Sequence, residues 1–179
     1  GEGIICFEAE NGKDYPYALR HDLIDQIKSL KKKFPDYESF KTADISKIFD
    51  KKTLNESDIL ITNTLETSIY INKEGFEFEK INIPSEVQFS PVYSINSHDF
   101  DGDGDEDILL GGNLYDVKPE VGIYDASYGL YLENLGNLKF KYHKDGNGFF
   151  VKGEIRDILI SEKNIFISKN NDKMQVFKF

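Results

Sequence analysis

Residues 99–107 read Asp99-Phe100-Asp101-Gly102-Asp103-Gly104-Asp105-Glu106-Asp107, and both flanks, 92–97 and 107–112, are strand-like. Five Asp and one Glu in nine residues repel one another, a cost that a plain solvated turn has no reason to carry. Carboxylates at alternate positions of a tight loop converge on one point, and a hard cation taking six to eight oxygens would offset their charge. The pattern predicts a calcium site: side-chain oxygens from Asp99, Asp101 and Asp103, the backbone carbonyl of Asp105, and Asp107 closing the sphere. Gly102 and Gly104 allow the positive φ values that such a loop needs. Magnesium fits less well, because it prefers water-rich octahedral sites. An EF-hand is excluded twice over. Its loop ends on a bidentate Glu at position 12, which here is Leu110, and its flanks are helices. A loop that fills the coordination sphere from its own chain leaves little room for substrate, so the expected role of the ion is structural, bracing a β-hairpin.

Working outward, the chain changes character near residue 56. Before it, Leu19, Leu23, Ile24, Ile27, Leu30 and Phe34 recur at steps of three and four, predicting one helix over 18–33 between Pro16 and Pro35. Lys28, Lys31, Lys32 and Lys33 near its end read as a solvated terminus, favourable to the helix dipole. A second helix is predicted at 43–50 with Thr42 as N-cap, and Thr53-Leu54-Asn55-Glu56 has the spacing to open one more turn. After 56 the period drops to two. Strands are predicted at 59–61, 68–71, 76–81, 92–95, 107–111, 129–133, 138–142, 155–160, 164–168 and 174–179. The expected division is therefore a helical segment, 1–55, followed by a region of antiparallel, blade-like sheets, 56–179.

An internal repeat accompanies the strands. Residues 68–81 align with 129–142, so that Tyr70 matches Tyr131 and Phe89 matches Phe150, each 61 positions on. A repeat of about four strands is the size of a propeller blade.

On these residues, 92–115 above all, the chain resembles the FG-GAP/VCBS repeat of integrin-α-type β-propellers, and more narrowly the C-terminal part of long VCBS-repeat proteins of Bacteroidetes related to the CRTAC/UnbV group. The resemblance covers 56–179. It implies a calcium loop joining the first two strands of a blade, with Asp99, Asp101, Asp103, Asp105 and Asp107 at the ligand positions and a small-residue turn after the second strand. It also implies a secreted, periplasmic or cell-surface setting and an adhesion-like, non-catalytic binding or scaffold role for a protein or carbohydrate ligand. The alternative is an accessory domain of a polysaccharide-processing enzyme whose catalytic residues lie elsewhere. The second copy has only the short turn Ser161-Glu162-Lys163-Asn164 in place of the loop. Propellers close with at least about four blades, and this chain holds little more than two. It reads as a partial propeller, a fragment completed by further blades or by another copy. The abrupt opening Gly1-Glu2-Gly3-Ile4 fits a piece of something longer.

The remaining features narrow the field. A net charge of −10 argues against nucleic acid and anionic membranes as partners, and no apolar run is long enough for membrane insertion. One cysteine, Cys6, excludes an internal disulfide and a cysteine-based zinc site; beside Ile4 and Ile5 it reads as a buried small hydrophobe. His21, His98 and His143 have no mutual spacing for catalysis, and His98 reads as a strand end. No nucleophile elbow, zincin motif or P-loop is present. The long connection 114–128 carries Asp116, Lys118, Glu120, Tyr124, Asp125 and Tyr128. Tyr124, Asp125 and Tyr128 are the candidate ligand-binding residues there, since Tyr beside acids suits a sugar or peptide, against a loop that merely folds over its own sheet.

Overall fold

The computed structural model describes residues 3–119 and 121–179, so Gly1, Glu2 and the loop residue Glu120 lie outside it. The chain divides into two compact units, Gly1–Asn63 and Thr64–Phe179.

The first unit opens with an unforeseen hairpin, β1 (Cys6–Glu8) against β2 (Asp14–Pro16), with Phe7 facing Tyr15. Its strands are three residues each, too short for period-two patterning to register. Cys6, expected to be buried, is only half-buried on this hairpin; burial and the charge of Asp14 push its thiol pKa up. Five short helices follow: α1 (Arg20–Gln26), α2 (Leu30–Lys33), α3 (Tyr37–Phe40), α4 (Ile45–Ile48) and α5 (Lys51–Asn55). The single helix expected over 18–33 is thus broken at Ile27, whose φ of −123° and ψ of 84° are not helical. Arg20 supplies the reason. Its Nε donates to the Phe34 carbonyl at 2.9 Å and its Nη2 to the Pro35 carbonyl at 2.6 Å. A straight helix would hold positions 20 and 34 about 21 Å apart, beyond any side chain's reach. Bending preserves the common apolar face: Leu23, Leu30, Phe34, Ala43 and Ile48 form one buried cluster, with Ile24 and Ile27 packed against it.

Two cap assignments also change. Asp44, not Thr42, caps α4: its backbone is extended and its carboxylate accepts from the Lys47 amide at 3.0 Å. Asp50 caps α5 by accepting from Thr53 at 2.7 Å, which places Thr53 inside the helix rather than at its start. Asp44 has a second duty. It is buried, and it also accepts from Ser46 Oγ at 2.5 Å and Lys13 Nζ at 3.0 Å, tying the hairpin's turn to the helices. Those bonds hold its carboxyl pKa down at about 2. Lys33, read as part of a solvated end, reaches the Ile48 carbonyl at 3.2 Å.

The second unit is a set of small antiparallel sheets, and the chain as a whole is mainly β. One hairpin pairs β3 (Ile69–Glu74) with β4 (Glu77–Ile81). Next comes a four-stranded sheet in sequence order, β5 (Val92–His98), β6 (Asp107–Gly112), β7 (Leu130–Asn134) and β8 (Phe140–Tyr142). A three-stranded sheet ends the chain, with β9 (Ile155–Ser161), β10 (Asn164–Lys169) and β11 (Gln175–Lys178). None of these sheets closes on itself among the described residues. Residues 59–61, expected as a strand, form none; Ile59, Leu60 and Ile61 are 79, 95 and 77% exposed, because no neighbouring strand meets their backbone.

The four- and three-stranded sheets stack. Leu109 and Tyr131, cross-strand partners on one face of the first, bury against Ile158, Ile165 and Ile167 of the second, each side chain contributing about 1.5–3 kcal/mol. The opposite face, with Leu110, Leu130 and Leu132, packs on Val87 from the 3₁₀ turn Ser85–Gln88. Successive residues of a strand thus feed two different cores. The inner strands come close: Asn96 Nδ2 donates to the Ile158 carbonyl at 3.0 Å and the Ile158 amide to Ser94 Oγ at 2.9 Å. That approach requires Gly111 after β6's apolar run, where a Cβ would sit 2.3 Å from Ile155 Cγ2; a Cβ on Gly112 would lie 1.7 Å from the Pro91 carbonyl oxygen, a clash beside β5 of its own sheet. Both sheets run antiparallel in sequence order, with Phe166 facing Val176 in the second as Leu109 faces Tyr131 in the first.

Candidate metal centre

His98 and Asp107 are cross-strand partners, so residues 99–106 are the loop of the β5–β6 hairpin. The chain makes its turn with Gly102 at φ 82° and Gly104 at φ 94°, as the spacing predicts. Each carboxylate is oriented by amides of its own loop. Gly102 N donates to Asp99 Oδ1 at 2.7 Å and Gly104 N to Asp99 Oδ2 at 3.0 Å. Asp103 N donates to Asp101 Oδ1 at 3.1 Å, and Asp105 N to Asp103 Oδ1 at 2.9 Å. These bonds leave lone pairs free. Among the described residues, Asp99, Asp101 and Asp103 offer carboxylate oxygens that all lie within 4.8 Å of one another. Asp99 is half-buried and the other two are exposed. The Asp101 pKa carries the mark of crowding. The bond from Asp103 N lowers it, but desolvation and the charges of Asp103, Asp107 and Asp99 together raise it above its ordinary value. Three hard oxygen donors converging in this way fit a cation such as calcium or magnesium, and a soft metal poorly.

Asp105, whose expected contribution is its backbone carbonyl, keeps its carboxylate outside the trio, with Oδ2 3.4 Å from where a Cβ on Gly136 would be. Asp107 is fully buried, and its carboxylate is taken up inside the protein. Oδ2 accepts from Tyr131 Oη at 2.8 Å and from Phe100 N at 3.2 Å; Oδ1 accepts from Asn134 N at 2.8 Å. Asp107 therefore ties the loop to β7, a role invisible in sequence because Tyr131 and Asn134 lie more than twenty positions away.

The floor of the loop was likewise not legible. Phe100 makes edge contacts with His98, Tyr131 and Phe179 at ring-centroid distances of 5.2, 5.9 and 4.9 Å. Asn134 Nδ2 also donates to the Glu106 carbonyl at 3.2 Å. The one available signal was Phe100 itself, an aromatic residue inside an otherwise acidic loop. His98 ends β5, as its position predicts. His21 bonds Tyr37 Oη at 2.6 Å and His143 contacts Glu133, so each histidine is engaged locally.

The candidate ligand-binding residues do not form one group. Tyr124 is held in an isolated bridge to Leu114, their backbones exchanging bonds of 2.8 and 2.9 Å. Asp125 next to it is exposed. Tyr128 stacks on Phe150, ring centroids 4.5 Å apart and planes 13° from parallel, beside a cleft that neither Tyr124 nor Asp125 lines. The base of the connection is pinned by buried Asn113, whose side chain donates to the carbonyls of Ser127 and Gly153 and accepts from Ser90 Oγ and Ser127 N.

Among the described residues no helix is long and apolar enough to cross a membrane. No protein-family model matches this chain, and no curated protein or solved structure matches it either.

Proposed function

We propose that this chain is a calcium-stabilised, non-catalytic binding or scaffold module, part of an FG-GAP/VCBS-type β-propeller that works in a secreted, periplasmic or cell-surface protein. The observation that carries the proposal is the convergence of Asp99, Asp101 and Asp103 at the first turn of a four-stranded sheet. The propeller part draws support from that sheet's stacking on a second antiparallel sheet whose strands also follow sequence order. Extracellular calcium is millimolar, and a site with a Kd of about 10⁻⁴–10⁻³ M would be substantially filled there. The ion would then offset the charge of the trio, and stability would rise by about 1.4 kcal/mol for each tenfold excess over Kd.

The test is a set of thermal melts in excess EGTA, in a few millimolar calcium and in matched magnesium. A rise specific to calcium is expected. Equal melting temperatures in all three would refute the metal assignment.

A further inference from the structure

A second site lies in the β unit and shares no lining residue with the Asp loop. It is a cleft of about 380 Å³ between the 3₁₀ turn Ser85–Gln88, residues 126–130 and residues 146–150. That volume is within the range of small-molecule sites. Phe89, Tyr128 and Phe150 line it while remaining 59, 45 and 59% exposed. Soluble proteins rarely leave several large aromatics together in water without a use for them. Tyr128 and Phe150 stack face to face, each covering one face of the other and leaving one outer face, and Phe89 is the counterpart of Phe150 one 61-residue repeat earlier. Two charged side chains of opposite sign, Glu86 and Lys144, complete the polar lining.

The chemistry of this lining selects its ligand. One carboxylate and one ammonium leave the cleft formally neutral in a chain of net charge −10, which disfavours phosphates and polyanions. A flat ring face seeks an apolar partner, and the C–H face of a pyranose is one, gaining about 25 cal/mol for each Å² withdrawn from water. The hydroxyls at the rim of such a ring both donate and accept, matching Glu86 as acceptor and Lys144 as donor. We propose that the cleft binds a neutral saccharide, with one sugar ring on an outer face of the Tyr128–Phe150 stack. The inference builds on the chain being a binding module and is independent of whether the Asp loop takes calcium.

The experiment is an amide ¹H–¹⁵N NMR titration of the whole chain with methyl β-glucoside, methyl β-galactoside, N-acetylglucosamine, cellobiose and chitobiose, with indole as the aromatic control. Expected are saturable shifts at Phe89, Tyr128 and Phe150 and their neighbours with at least one saccharide, at a Kd of about 1 mM. Phe150→Ala and the milder Phe150→Leu, which keeps apolar bulk without a ring face, should each weaken binding about tenfold. Spectra of the free variants verify their fold, and Asp103→Ala should bind saccharide as the parent does even where calcium stabilisation is lost. The proposal is overturned if no saccharide gives saturable shifts, if the shifts fall elsewhere, if folded Phe150→Leu binds unchanged, or if indole binds more tightly than every sugar.

Discussion

Asp107→Asn separates what the hairpin needs from what the ion needs. The Asp107 carboxylate is fully buried and receives three donors, at 2.8 Å from Tyr131 Oη, 2.8 Å from Asn134 N and 3.2 Å from Phe100 N. An asparagine side chain keeps the shape but has one acceptor oxygen. Whichever way the amide turns, its NH₂ group faces a backbone N–H, so at least one buried donor loses its partner. Loss of a charge-assisted bond together with an unsatisfied donor costs about 2–4 kcal/mol. For a unit of this size that lowers Tm by about 10 °C. The assay is thermal unfolding of the parent, Asp107→Asn and Asp103→Asn, each in EGTA and in millimolar calcium. The drop in Asp107→Asn should be present already in EGTA, because its bonds are internal to the protein. Asp103→Asn should melt in EGTA at or slightly above the parent temperature, since like-charge repulsion is relieved, and should lose the calcium-dependent rise. Parent-like melting of Asp107→Asn in EGTA would show that its hydrogen bonds do not hold the hairpin, and would sink the reasoning.

Asp44, held at about 2 in the fold against an ordinary 3.8, favours the folded state when ionised. Its contribution is complete above pH 3.8 and disappears as pH falls toward about 2, so acid titration of the helical signal should show a loss in that window that Asp44→Asn removes; a parent profile flat through that window would contradict it. Gly111→Ala should cost about 1–3 kcal/mol by overpacking Ile155, and Gly112→Ala more, because its clash is with the Pro91 backbone; a denaturant melt in which Gly111→Ala matches the parent would refute the close approach of the two sheets. Leu60→Lys, at a side chain 95% exposed, should leave Tm unchanged and reduce aggregation measured by light scattering; a clear fall in Tm would mean that Leu60 is packed in solution.

Much of the β unit was legible because its signals are local. Strands β5, β6, β9 and β10 follow from the apolar and β-branched residues of their own segments, and the Asp99–Asp103 carboxylates are set by amides within five positions along the chain. Part of what was missed depends on residues far apart in sequence. The break in the first helix answers to Arg20 reaching Phe34, and the cap of α4 to a carboxylate that Lys13 also uses. Ile59, Leu60 and Ile61 have strand chemistry but no strand beside them, and β-pairing is satisfied only by a partner.

The same division runs through the candidate sites. By itself the sequence determined that acidic oxygens crowd one glycine-bearing turn between two strands, because turn geometry and charge density are properties of neighbouring residues. Only the tertiary structure decided that Asp107 turns inward to Tyr131 and Asn134 while Asp99, Asp101 and Asp103 converge. It alone brought Phe89, Tyr128 and Phe150 to one cleft and left Tyr124 outside. Burial and long-range hydrogen bonding are set by which strands pack together, and strand pattern alone does not carry that information.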